Sequence, residues 1–214
     1  MGLDWNPIGK PKLGHEDEFE RLFSLLVSGD AGADKEKLSR QWLEIQVSPF
    51  ETIQAPRVGF DSRADAWARD RYQTFQQPTT SEAEFMRSMV GYYVAALAAP
   101  CDGIPAYSNG ALGYVELYSF RAQFLLERHD ILGDDLTARL YKSCLAKDLA
   151  VLGEEIRDAA ARYADRENVP HVEQIQSADG IEPGSPASTA HVLFSAAKWC
   201  EYWARHGHGM EAYW

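Results

Sequence analysis

Cysteine is scarce, with Cys101, Cys144 and Cys200 the three in 214 residues. The number is odd, the spacings are wide, and two of the three lie in apolar helical patterns. Such an arrangement builds no disulfide framework and reads as reduced thiols in a cytoplasmic protein. No CxxC or CxxxH pair is present, and the Glu-x-x-His signature of di-iron bundles fails too: Glu116 is followed three residues on by Ser119 and Glu127 by Asp130. Long apolar runs are also missing. The longest, Met89 to Pro100, is too short to span a bilayer. The opening MGLDWNPIGKPKLG carries no apolar signal core, and Asn6 stands where a myristoylation pattern needs Ser or Thr, so neither secretion nor a membrane partner is expected. Positive charge is in short supply. With 21 Lys and Arg against 32 Asp and Glu the net charge is −11, which excludes a phosphate backbone, and hence nucleic acid, as the main partner. The same excess suits a basic protein partner or serves solubility alone. Nucleophile and cofactor signatures are lacking as well. There is no Gly-x-Ser-x-Gly, no Rossmann glycine pattern, and no histidine placed by sequence beside Cys101 or Cys144. A non-catalytic protein without cofactor or metal is the expectation.

What is present is an ordinary globular composition, 45% hydrophobic and 25% charged, in a chain long enough to bury a core without staples. Its hydrophobic spacing is helical almost throughout. Phe19, Leu22, Phe23 and Leu26 predict a helix over 15–28, with Glu16, Asp17 and Glu18 in the first turn where the helix dipole favours acids. Leu38, Trp42 and Ile45 predict a second over 34–47, and Ala64, Trp67, Ala68 and Phe75 a third from Asp61 or Ser62. Four longer helices follow, over 81–99, 111–130, 135–165 and 186–206. Ser81 and Glu84 form a capping box, and Ser185-Pro186 gives a cap followed by proline at the first helical position. The 111–130 stretch is apolar around most of its circumference, which makes it the expected centre of the core. Leu136, Leu140, Cys144, Leu145, Leu149, Leu152, Ile156, Ala159 and Tyr163 form one stripe over 135–165, with Gly153 inside it where another backbone can approach. The fold class is therefore all-α: an antiparallel helical bundle with four long core helices and two or three shorter N-terminal ones. One domain spans 1–214, with an extended arm over 1–14 anchored by Trp5, an ordered loop over 166–184, and a tail over 207–214 that frays unless Tyr213 and Trp214 dock.

Candidate sites are few. The 100–110 loop leads into the 111–130 helix and gathers Tyr107, Ser108 and Asn109 near Gly110 and Gly113, where a small anion can meet a helix N-terminus. The competing reading makes Asn109 or Ser108 a plain N-cap. Glu116, two turns into a very apolar helix, is a carboxylate whose burial would raise its pKa, with His191 a possible partner from the last helix; the alternative is a thin solvated edge through Ser119, Gln123 and Glu127. Tyr107, Asn109, Glu116 and His191 thus mark a possible ligand pocket. His206-Gly-His208 offers two flexible imidazoles, better suited to adventitious metal than to a native site. Trp199, Tyr202 and Trp203 cluster on the last helix and read either as core or as an interface, the latter implying a homo-oligomer. The function expected from all this is that of a helical interaction protein with an acidic surface, the alternative being a small-molecule site under the 100–110 loop.

Overall fold

In the computed structural model the residues described are 2–29, 32–74, 80–98 and 118–214. The fold is predominantly helical, and the chain falls into two compact units, Met1–Pro49 with Asp102–Trp214, and Phe50–Cys101. No helix among the described residues is long and apolar enough to cross a membrane.

The first unit is built on one helix pair, α8 (Ala146–Arg166) against α9 (Pro186–Arg205). The apolar stripe expected for α8 is the face it buries: Leu149, Leu152, Ile156, Ala159 and Ala164 are all 2% exposed or less. Gly153 lets α9 come close, since a Cβ there would lie 2.9 Å from the Cys200 Cβ. α9 is buried around most of its girth, from Thr189 through Trp203, with Lys198 and Glu201 the half-buried exceptions. It begins at Ser185, whose hydroxyl accepts the Ser188 N–H at 3.1 Å. It ends in a Schellman turn: Gly207 has φ of 82°, the His208 N–H reaches the Trp203 carbonyl at 2.9 Å, and the Gly207 N–H reaches Ala204 at 2.9 Å. The first unit is thus built around α9.

The central helix expected over 111–130 is absent wherever residues are described, 111–117 lying outside them. Phe120 is instead extended and exchanges both backbone bonds with Trp5, at 2.8 and 3.0 Å. Only the short α6 (Gln123–Leu126) and α7 (His129–Arg139), kinked at Gly133, follow. The reason is tertiary: β1 (Asp4–Pro7) offers an unpaired strand edge, and pairing satisfies the same backbone groups that a helix would. β1 in turn pairs antiparallel with β4 (Met210–Tyr213), so the expected arm and tail are two strands of one small sheet. Beyond β4, Cys144 exchanges two bonds with Met210, at 2.9 and 2.8 Å. That contact breaks the helix expected over 135–165 into α7 and α8. Gly209 makes it possible, since a Cβ there would fall 2.2 Å from the Cys144 carbonyl oxygen. Trp5 is fully buried, packs on Phe120 and Trp199, and donates its indole N–H to the Leu140 carbonyl at 2.9 Å. A second short pairing joins β2 (Lys10–Pro11) to β3 (Gln46–Val47). It flanks α1 (Glu16–Ser28) and α2 (Lys35–Glu44), which meet through Phe19 stacked on Trp42. The 166–184 segment contains a 3₁₀ turn at Pro170–Gln174.

The second unit holds α4 (Ser62–Thr74) and α5 (Glu82–Met89), entered through α3 (Pro49–Thr52). Val58, Ala64, Ala68 and Val94 form its core, with Trp67, Met86, Met89 and Leu97 packed against them. The Ser81 capping box is present. The helix expected over 81–99 stops at Met89. Gly91 takes a φ of 92°, and residues 91–94 bond back to the 56–58 segment through the Gly91 N–H to Val58, the Val58 N–H to Tyr92, and the Val94 N–H to Pro56. Of the four long helices expected, the last is present over almost its full span, the third as α8, and the first two are not continuous.

Candidate functional site

Among the four residues of the expected pocket, Tyr107, Asn109 and Glu116 lie outside the described residues. His191 is 2% exposed on α9 and shares a 3.3 Å hydrogen bond, through Nδ1, with the hydroxyl of Ser195, itself 1% exposed. A helical i,i+4 spacing brings the two together. Burial, aided by the nearby Lys198 ammonium and opposed by a backbone hydrogen bond at Ile175, pushes His191 down to about 4. A Ser–His pair is the start of a nucleophile, but one so enclosed cannot meet a substrate. The His191 ring instead meets the Ile175 backbone. The same seam carries an ion cluster. Arg157 of α8 binds Glu201 of α9 through two nitrogens, at 2.5 and 2.6 Å, and also pairs with Glu173 of the 3₁₀ turn, while Lys198 donates to the Glu173 carbonyl. The hydrogen bonds Arg157 donates to Glu201, together with the charges of Glu201 and Glu173, raise the Arg157 pKa despite partial burial.

The aromatic interface requires correction. Trp199 and Trp203 are 0% exposed and Tyr202 is 6% exposed within this one chain. They pack on Trp5, on one another and on His208, because α9 is buried on nearly every side. They are core and present no surface to a second copy. His208 is buried as well, donating from Nδ1 to the Ile8 carbonyl at 2.8 Å; burial lowers its pKa to about 4. His206 donates to the Tyr202 carbonyl at 2.7 Å, so each imidazole of the His-Gly-His tail has one nitrogen committed to backbone. Among the described residues no group of three or more His, Cys, Asp or Glu side chains is placed to hold a metal.

One cleft escapes the sequence reading. It lies in the first unit, where α7 ends, the 140–145 turn crosses to β4, and α8 begins, and it encloses about 420 Å³. Its lining carries the polar side chains Arg139, Lys142, Ser143 and Asp148 and the apolar Cys144, Val151 and Leu152. Leu152 is 2% exposed and Val151, at the rim, 46%. Arg139 pairs with Glu155, and the Ser143 hydroxyl oxygen accepts the Ala212 N–H at 3.1 Å. Burial, reinforced by the Asp148 carboxylate, pushes the Cys144 thiol up to about 12, so it is a neutral wall and not a nucleophile. The chain matches no family model, no curated protein and no solved structure. The geometry therefore carries the functional argument alone. The local signal for the cleft was Arg139-Leu-Tyr-Lys-Ser-Cys144, a polar interruption in an otherwise helical stripe, and a continuous helix would have spread those side chains around its axis.

Proposed function

We propose that this protein acts by binding and not by catalysis, and that its acidic exterior recognises a basic protein. The observation that supports this is the partition of ionisable groups. The side chains suited to chemistry, His191, His208, Cys144 and Cys200, are shifted by burial toward their uncharged forms. The acidic excess lies outside. The first turn of α1 exposes Glu16, Asp17 and Glu18, and the next turn Glu20, answered locally by His15 on Glu18 at 3.4 Å and by Lys147 on Glu20 at 3.6 Å. Acids are favoured there by the helix dipole, and they remain at the solvated surface where a cationic partner can reach them. Self-association is no part of the proposal, because the aromatics assigned to it are core.

The test is affinity purification with the full chain, followed by calorimetry of each purified candidate at about 50 and 300 mM salt. A partner with a strongly basic surface, bound several-fold more weakly at the higher salt and lost on charge reversal of Glu16, Asp17 and Glu20 to Lys, supports the proposal. A partner bound equally at both salts and by the reversed chain sinks it.

A further inference from the structure

We infer that the cleft between α7 and α8 binds a zwitterionic small molecule, an amino acid or dipeptide with a free ammonium, a free carboxylate and an aliphatic side chain. The volume of about 420 Å³ falls within the usual range for small-ligand pockets, about 300–1,000 Å³, and accommodates a dipeptide. The lining carries both signs of charge. Lys142 and Asp148 make no ion pair among the described residues, while the Arg139 guanidinium is held in place by Glu155. Ser143 accepts from Ala212, which leaves its O–H to donate.

These groups discriminate between ligand classes. A simple anion finds Lys142 and Arg139 but also faces the Asp148 carboxylate. A simple cation finds Asp148 but faces two positive groups. A neutral ligand leaves both exposed charges with water as their partner and gains no ionic contact from either. A zwitterion satisfies all of them at once: its carboxylate takes Lys142, Arg139 and the Ser143 hydroxyl, and its ammonium takes Asp148. Val151 and Leu152 then receive its side chain, and the neutral Cys144 thiol adds no competing charge. The exposed Tyr141, edge to face with Trp214 at 6.4 Å, precedes Lys142 of the cleft in the chain. This inference is independent of the acidic exterior and of any protein partner.

The experiment titrates the full chain with L-leucyl-L-leucine, N-acetyl-leucyl-leucine and leucyl-leucinamide, read by backbone amide NMR shifts and by calorimetry. The expected result is saturable shifts centred on residues 139–152 for the zwitterion, with each capped form bound at least about tenfold more weakly. Asp148→Asn should erase the discrimination against the N-acetyl form, and Lys142→Gln that against the amide. Both side chains are exposed, so both variants fold, as circular dichroism will verify. Equal binding of capped and uncapped forms overturns the inference. So do shifts centred elsewhere, or none at about 10 mM dipeptide.

Discussion

Mild acid should destabilise this protein through two buried imidazoles. His191 and His208 are 2% and 0% exposed, and each is held near a pKa of about 4. In the unfolded chain each titrates near 6.5. A base whose folded pKa is depressed is stable in its neutral form, so the folded state loses ground as pH falls below the unfolded value, and the loss is complete only below the folded one. The window here runs from about pH 6.5 down to about 4. The sequence isoelectric point is about 5.0, so the comparison is best made between pH 7 and pH 5.5, where solubility holds. At pH 5.5 the unfolded chain binds nearly two more protons at these sites than the folded chain. Integrated over the interval, each ring costs a little over 1 kcal/mol, and the pair about 2 to 3 kcal/mol, of a stability typically about 5–15 kcal/mol. Because pH 5.5 lies above both folded values, the unfolded-state titration sets almost the whole figure. Urea unfolding followed by circular dichroism at several pH values measures it. His191→Asn with His208→Asn keeps an amide near each Nδ1 position and removes the titration. That variant starts less stable, since ring packing on Trp203 is lost, but its stability should be flatter between pH 7 and 5.5 by the stated amount. A double variant that keeps the wild-type slope refutes the reasoning and assigns the acid loss to other groups.

Gly153→Ala gains helix propensity, about 1 kcal/mol, but sets a Cβ 2.9 Å from the Cys200 Cβ, and overpacking between two helices costs about 1–3 kcal/mol; urea unfolding should show no gain and up to about 2 kcal/mol of loss. Arg157→Met removes the guanidinium shared by the Glu201 and Glu173 carboxylates and leaves Lys198 as the nearby cation. A loss of about 1–3 kcal/mol is expected, with hydrogen exchange rising first in the 3₁₀ turn at Pro170–Gln174. In a background with Cys101→Ser and Cys144→Ser, the fully buried Cys200, its thiol raised by burial, should react with a disulfide reagent only as fast as the chain opens; prompt labelling in the native state contradicts the packing.

Local chemistry was legible wherever a residue acts on its own neighbours. The Ser81–Glu84 box, the Ser185-Pro186 start, Gly207 at the end of α9 and the acidic opening of α1 are set by hydrogen bonds and dipoles within a few residues, and all are present. The 3.6-residue spacing of Leu149, Leu152, Ile156 and Ala159 likewise names the face α8 buries, since burial of one stripe needs only a partner of some kind. Spacing names an apolar face but not the partner or the backbone form. Phe120 suits a helix by its neighbours and becomes extended because β1 supplies a strand edge more than a hundred residues away in the chain. Cys144 fits the α8 stripe and leaves it because Gly209 brings β4 within bonding distance. The same limit governs the site. The apolar girth of α9 resembles that of residues 111–130 in the sequence, and only the packing of Trp5, α8 and the tail around α9 turned Trp199, Tyr202 and Trp203 from a candidate surface into core. The cleft exists because a helix breaks at residues 140–145, and that break is a long-range backbone pairing, which no local pattern encodes.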